Sequence, residues 1–141
     1  MSQRVRAILA IDPGRDKCGL AVVTLAGEAL AQEVIPAGAL AGRARELAER
    51  YDFAVIVVGD RTGADAALDT LESALPEIET AVVDEHRSNE EARRFYFREH
   101  PPRGWRRLIP STLQTPPHPY DDYVAVILAR RYLRRTTDSP D

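Results

Sequence analysis

Six consecutive apolar residues at positions 53–58 (FAVIVV) are the feature that most constrains the fold of this chain. An uninterrupted apolar run is typical of a strand covered on both faces, because a strand with one face in water alternates apolar and polar side chains. The run therefore predicts a central strand of a sheet that has a layer packed on each side.

Three more apolar segments precede this run and are separated by short turns. They occupy residues 5–11, 19–25 and 29–35, and their spacing predicts an antiparallel meander of three strands. Residues 12–16 (DPGRD) between the first two contain a proline and a glycine, which favour a tight turn.

Helical and strand patterns then alternate. Apolar residues at helical spacing predict helices at residues 39–51 and 66–75, and a short strand follows at residues 80–83. In the first helix and in the second, small and aliphatic residues form the stripe expected to face the sheet. The sequence therefore predicts helices that cross over between parallel strands.

The last third of the chain is interrupted by prolines. Ser88 and Glu91 form a capping box that begins a helix, and that helix ends at His100. Residues 101–119 contain six prolines, which predict an irregular loop. A final helix is predicted at residues 120–133.

These elements together predict an α/β fold with one mixed five-stranded sheet. The three-stranded antiparallel meander is joined by two parallel strands, and helices cover both faces. Right-handed crossovers place the first strand in the middle of the sheet. With 141 residues, we expect a single domain over residues 1–135 and a flexible C-terminal tail at residues 136–141.

Composition excludes several classes of protein. Hydrophobic residues make up 44% of the chain and charged residues 29%, as in ordinary soluble domains. No apolar run approaches the roughly 20 residues that cross a bilayer, and the N-terminus lacks the features of a secretory signal. Cys18 is the only cysteine, so an internal disulfide is excluded. We expect a cytoplasmic protein with no membrane partner.

Charge is distributed unevenly along the chain. Through Glu85 there are 8 basic and 15 acidic residues, whereas from His86 onward there are 11 arginines and 7 acidic residues. A basic second half can face phosphates, although arginine-rich helices can also be simply solvated faces.

Acidic residues lie at three places where a core element meets a loop. Asp12 ends the first strand and Glu85 follows the fifth. Asp121 and Asp122 begin the final helix. Strand ends near the centre of such a sheet are where ligands bind, and converging carboxylates need a compensating cation. Oxygen ligands suit Mg²⁺ or Mn²⁺, and two such ions can promote hydrolysis of a phosphodiester.

Each of these acidic residues also has an ordinary structural explanation. Asp12 begins an Asp-Pro-Gly turn, and Glu85 can be a solvated loop residue. Asp121 or Asp122 can be the N-cap of the final helix, and one of them can cap while the other binds metal. The presence of all of them at these places, in this order of elements, is a more specific indication of a metal site than any one of them alone.

Four segments resemble the YqgF family, also called RuvX, of Holliday junction resolvase-like nucleases, and more distantly the RuvC resolvases. They are residues 8–14 with 19–22 (ILAIDPG and GLAV), 57–59 (VVG), 83–88 (VDEHRS) and 121–128 (DDYVAVIL). The third is similar to the family's "DER" segment, and the last is similar to its closing helix. The resemblance covers nearly the whole chain.

The resemblance implies a ribonuclease H-like fold and a nuclease that depends on Mg²⁺ or Mn²⁺. Its metal ligands are then Asp12, Glu85 and Asp121, with Asp122 as the alternative to Asp121. The roles discussed for the family are maturation of the 5′ end of 16S rRNA precursors and cleavage of branched DNA. Junction cutting of the RuvC type requires two sites, so a homodimer is a further expectation.

The chain departs from the family pattern at three places. Asp16-Lys17 stands where the family has a basic pair, so Lys17 is the one cation there. The loop at residues 60–63 (DRTG) is shorter than the family's glycine loop. His118 precedes Asp121 in an arrangement similar to the H-x-x-D of some RuvC proteins, and it can join a second metal, shuttle a proton or be an ordinary loop residue.

Arginines interleaved with aromatic residues follow Glu85. Guanidinium groups suit phosphates, and exposed aromatic rings can stack on single-stranded bases. The residues that we expect to contact nucleic acid, RNA or DNA, are Lys17, Arg87, Arg93, Arg94, Arg98 and Arg103.

The sequence is compatible with three functions. The first is a divalent-metal-dependent nuclease, in which Asp12, Glu85, Asp121, Asp122 and His118 are the catalytic candidates. The second is a non-catalytic nucleic-acid-binding module with the same fold. The third is an actin-like sugar kinase or ATPase, which needs two lobes of this kind where 141 residues supply one.

Overall fold

The computed structural model describes residues 4–61, 63–85 and 121–138, with the side chains of the last range described from 123 to 135. The elements in chain order are β1 (Val5–Asp12), β2 (Lys17–Thr24), β3 (Ala29–Pro36), a 3₁₀ turn (Ala37–Ala39), α1 (Leu40–Arg50), β4 (Tyr51–Gly59), α2 (Ala64–Ala74), β5 (Thr80–Val83) and α3 (Asp121–Asp138). The helix predicted from Ser88 to His100 and the proline-rich loop lie outside the described residues.

One mixed sheet contains all five strands in the order β3-β2-β1-β4-β5. β1 pairs antiparallel with β2, and β2 pairs antiparallel with β3. β1 pairs parallel with β4, and β4 pairs parallel with β5. The prediction of a three-stranded meander extended by two parallel strands, with the first strand in the middle, is confirmed.

Helices cover both faces of this sheet, as predicted. The buried half of α3, from Tyr123 to Ala129, packs on one face against Ile8 and Ala10 of β1. α1 and α2 pack on the other face against alternate residues of the same strand, such as Leu9 and Ile11. β4 contributes to both layers, which explains its uninterrupted apolar run.

The structure differs from the sequence prediction at several element ends. Tyr51 belongs to β4 instead of the preceding helix, because α1 ends at Arg50. Within α2 the buried positions are Ala67 and Leu71, while the predicted Leu68 is only partly buried. α3 continues to Asp138, through three of the residues assigned to the C-terminal tail.

α1 is tied to the edge strand β3 by a charged pair. Arg43 Nε donates to Glu33 Oε1 at 2.6 Å, and Arg43 Nη2 donates to Glu33 Oε2 at 2.9 Å. The hydrogen bond to Glu33 raises the pKa of Arg43 above its usual value, with a smaller contribution from Glu46. This two-pronged contact fixes the helix against a strand whose outer edge has no neighbour in the described sheet.

Among the described residues, every helix is too short or too polar to cross a membrane.

Candidate active site at the carboxyl edge of the sheet

The carboxyl ends of three parallel strands meet at one edge of the sheet, here called the carboxyl edge. The register pairs Ile11 of β1 with Val58 of β4, and Gly59 with Val83 of β5. Asp12 is the next residue of β1, and Glu85 follows the end of β5 by two residues. Asp12 and Glu85 are therefore brought to the same edge, with the end of β4 between them. In open α/β sheets this is the edge at which ligands bind.

Asp12 lies on the face of the sheet that α3 covers. Side chains of a strand alternate between its two faces, and Ile8 and Ala10 pack in the layer formed with α3. Asp12 continues that series, and it is partly buried. The prediction that it ends the first strand is confirmed, since β1 includes it as its last residue.

Gly59 provides the space that Glu85 occupies. Val55 and Val57 of β4 pack in the α3 layer, so Gly59 faces the same way. A Cβ added to Gly59 would lie 2.7 Å from both Cγ and Oε2 of Glu85, and closer still to Cδ. The carboxylate of Glu85 therefore fills the position of the side chain that Gly59 lacks, on the same face as Asp12.

Glu85 is an acid buried at this edge, with only 1% of its surface exposed. Its Oε2 accepts a hydrogen bond from the backbone N–H of Arg61 at 2.9 Å. Its Oε1 is buried and has no hydrogen-bond partner within the part of the chain that the structure describes. Burying a carboxylate oxygen without a partner is costly, so its presence in a folded protein requires an explanation.

The peptide group in front of Glu85 is held at both ends. The backbone N–H of Glu85 donates to Asp60 Oδ1 at 3.2 Å, and the carbonyl oxygen of Asp84 accepts from Arg131 Nη1 at 2.8 Å. Together with the contact from Arg61, these bonds connect β5, the loop after β4, and α3. Asp60 and Arg131 were not among the predicted site residues. The available signal in the sequence was the glycine at the end of a buried strand, which marks close approach by another group.

The direction of α3 brings its first turn toward the same edge. Arg131 contacts the carbonyl oxygen of Asp84, and Arg135 contacts that of Val82 at 3.3 Å. Advancing along α3 therefore means moving backward along β5, so the two elements run in opposite directions. The helix begins at Asp121, on the side of the carboxyl edge. The side chains of Asp121 and Asp122 lie outside the described residues.

Of the remaining predicted site residues, only Lys17 lies within the described ranges. Lys17 is exposed and begins β2, whose start lies at the carboxyl edge because β2 is antiparallel to β1. Arg15 and Arg61, on neighbouring loops at this edge, are also exposed. The other predicted residues lie outside the described ranges: Arg87, Arg93, Arg94, Arg98, Arg103 and His118.

Within residues 4–61, 63–85 and 121–138, no group of three or more His, Cys, Asp or Glu side chains is close enough to hold a metal ion. Asp12 and Glu85 are the two predicted ligands whose side chains are described. The complete set of Asp12, Glu85 and Asp121 stays a prediction.

Two crevices in the described part of the structure lie away from this pair of acids. A crevice of about 470 Å³ is lined by Arg4, Tyr51 and Ile78 and lies at the opposite edge, where β1 and β4 begin. A crevice of about 300 Å³ is lined by Pro13, Gly63 and neighbours and lies beside the carboxyl edge, on the α1 and α2 face. Neither is lined by Asp12 or Glu85, so the chemistry of the side chains, and not a large cavity, distinguishes the carboxyl edge.

Comparison with solved structures identifies the architecture. The chain superposes on RuvC of T. thermophilus in complex with a Holliday junction substrate with a TM-score of 0.65, covering 94% of this chain and 96% of that one at 17% identity. A second Thermus thermophilus RuvC structure gives a TM-score of 0.62, with 94% and 97% coverage and again 17% identity. The chain has a ribonuclease H-like fold. The sequence itself matches no protein-family profile and no curated protein.

This comparison confirms the predicted fold class over nearly the full length of both chains. At this level of identity it establishes the fold alone, because one fold can carry many unrelated functions. A function is therefore inferred from the residues at the carboxyl edge.

Proposed function

We propose that this chain is a divalent-metal-dependent nuclease that hydrolyses phosphodiester bonds in nucleic acid. The observation that carries the proposal is the buried carboxylate of Glu85, whose Oε1 has no hydrogen-bond partner among the described residues. This carboxylate lies at the same edge and on the same face of the sheet as Asp12. The ribonuclease H-like fold supports this choice of edge, since it brings the ends of β1, β4 and β5 together.

A divalent cation fits this set of donors. A buried carboxylate oxygen that lacks a hydrogen bond is stabilised by a cation, and oxygen-only donors suit Mg²⁺ and Mn²⁺. Asp12 and Glu85 would hold the ion, joined by Asp121 or Asp122 from the first turn of α3. The direction of α3 supports the third ligand, because the helix begins on the side of this edge.

A divalent ion held by these carboxylates would supply a lowered pKa for water and stabilisation of charge on the leaving oxygen of a phosphodiester. The chain's own groups prepare the site for this. The N–H of Arg61 holds Oε2 of Glu85, which leaves Oε1 available as a ligand. We assign the proton transfer to His118 and phosphate binding to Lys17, together with the arginines predicted after Glu85.

The substrate class is nucleic acid. The superposed RuvC structure contains a Holliday junction substrate, so branched DNA is one candidate. The resemblance to the YqgF family adds the 5′ end of 16S rRNA precursors as another. We propose RNA processing, repair or recombination as the cellular role, in the cytoplasm, with a homodimer as the form that could cut a junction symmetrically.

The proposal is tested by cleavage of matched substrates. Purified protein is incubated with single-stranded RNA, single-stranded DNA, duplexes and a four-way junction, in Mg²⁺, Mn²⁺ or EDTA. We expect metal-dependent cleavage of at least one substrate, reduced about 100-fold or more in Asp12→Asn and in Glu85→Gln, which keep the side-chain shape and remove the charge. Asp65→Asn, on the first turn of α2, is the matched control for loss of one acidic group.

Binding without cleavage would support the alternative. If wild-type protein binds these substrates but cuts none in either metal, the nuclease proposal is wrong and the non-catalytic binding module is correct. If Asp12→Asn cleaves as fast as wild type, the activity belongs to a contaminating nuclease or to another site.

A further inference from the structure

Asp60 makes an unusual contact for an exposed loop aspartate. Such residues commonly bond to backbone groups a few positions away in their own turn. Asp60 instead accepts a hydrogen bond from the backbone N–H of Glu85, 25 residues further along the chain. Its side chain therefore connects the loop after β4 to the segment after β5.

This contact acts on one end of a single peptide group. The carbonyl oxygen of Asp84 and the N–H of Glu85 belong to the same planar unit. Arg131 donates to the carbonyl at 2.8 Å, and Asp60 accepts from the N–H at 3.2 Å. Holding both ends fixes the rotation of the plane, and this sets the direction in which the side chain of Glu85 leaves the backbone.

The other end of Glu85 is held by the same loop. Arg61 is the neighbour of Asp60, and its N–H binds Oε2 of Glu85 at 2.9 Å. The side chain of Asp60 therefore binds the backbone of Glu85, and the backbone of Arg61 binds the side chain of Glu85. Of the two carboxylate oxygens of Glu85, Oε1 is the one left without a hydrogen bond among the described residues.

We propose that Asp60 is a positioning residue for the metal-binding site, which acts by accepting the N–H of Glu85 and thereby aims Oε1 at the bound cation. The inference rests on the proposed function, because it concerns the same site. It assigns Asp60 no contact with the metal. The important property of Asp60 is therefore its acceptor oxygen and not its negative charge.

The test compares two neutral variants of Asp60 with one another. Asp60→Asn keeps an acceptor oxygen, and Asp60→Ala removes it. Mn²⁺ affinity is measured by calorimetry on the full chain, and the control is Asp16→Asn, which removes one charge from the exposed turn between β1 and β2 at the same edge. Asp60→Leu, which is close to Asp in shape but has no acceptor oxygen, repeats the comparison if Asp60→Ala folds poorly.

We expect Asp60→Ala to bind Mn²⁺ roughly 10-fold more weakly than Asp60→Asn, as for other groups that orient a metal ligand. Asp60→Asn should bind Mn²⁺ with the same affinity as Asp16→Asn. If the two Asp60 variants bind Mn²⁺ equally, whether both tightly or both weakly, the acceptor has no role and the inference is overturned.

A second readout needs no metal. Exchange of the Arg61 amide hydrogen reports the bond to Oε2 of Glu85, and we expect it to be about 10-fold faster in Asp60→Ala than in Asp60→Asn. If the Arg61 amide hydrogen exchanges at the same rate in the two folded variants, the inference is overturned. If wild type binds no Mn²⁺ at all, the proposed function fails, and the exchange comparison still decides whether Asp60 holds Glu85.

Discussion

Replacing Gly59 with alanine adds one methyl group at the position occupied by the Glu85 carboxylate. The new Cβ would lie 2.7 Å from Cγ and Oε2 of Glu85, whereas uncharged atoms in contact are about 3.5 to 4 Å apart. The carboxylate must therefore move by about 1 Å. Glu85 is only 1% exposed, so it cannot move into solvent without opening the structure around it.

The cost of this movement can be worked out from the contacts. Inserting a methyl group into a packed site destabilises by about 1 to 3 kcal/mol. Loss of the hydrogen bond from the Arg61 N–H contributes about 0.5 to 1.5 kcal/mol within that range. A shift of about 1 Å in a catalytic group can also lower a rate about 100-fold. Gly59→Ala should therefore lose stability and nearly all metal-dependent cleavage.

Urea denaturation and a double-mutant cycle isolate the contact. In a Glu85→Ala background the methyl group has no carboxylate to displace, so we expect the cost of Gly59→Ala to fall by about 1 to 2 kcal/mol. Gly42→Ala is the control: a Cβ there meets nothing within 4 Å, and alanine should stabilise α1 by about 0.5 to 1 kcal/mol. If Gly59→Ala costs the same free energy of unfolding in both backgrounds, or if Gly59→Ala cleaves as fast as wild type, the placement of Glu85 against Gly59 is refuted.

Three other substitutions test the buried acid Glu85, the packing of α2 and the ion pair between α1 and β3. Glu85→Gln should raise the melting temperature in EDTA by a few degrees, because a buried charge without a cation is removed. In Mn²⁺ the wild type should have the higher melting temperature, because the ion stabilises only wild type. The same order of the two melting temperatures in EDTA and in Mn²⁺ would contradict this. Leu71→Ala, at a fully buried position of α2, should cost about 2 to 5 kcal/mol in urea denaturation, and a cost below about 1 would contradict the packing of α2. Arg43→Met should cost about 1 kcal/mol or less, decreasing with added salt, since Arg43 and Glu33 are partly exposed; a salt-independent loss would point to packing instead.

The architecture could be predicted from the sequence because it depends on repeated signals. The run at residues 53–58 required layers on both faces, and the short turns required a meander. Element ends were less predictable. Tyr51 continued the helical pattern locally, yet pairing with Val5 of β1 places it in β4, and a single sequence does not contain that tertiary contact.

The candidate site could be predicted in part. Asp12 and Glu85 were selected because each follows a strand, and strand ends can be located from patterning. The burial of Glu85 against Gly59, and its bonds to Asp60 and Arg61, arise from packing between segments 24 to 26 positions apart. The glycine that ends β4 indicates close approach by another group but does not identify that group, so the sequence did not single out Asp60.

The central claim is that Asp12 and Glu85 together bind a divalent ion, and the most direct test is a crystal structure with Mn²⁺ at millimolar concentration. Data collected at the manganese absorption edge locate the ion independently of any assumed ligand. We predict an anomalous peak about 2.2 Å from Oε1 of Glu85 and from a carboxylate oxygen of Asp12. A peak elsewhere, or no peak while Oε1 is hydrogen-bonded to a protein donor, would contradict it.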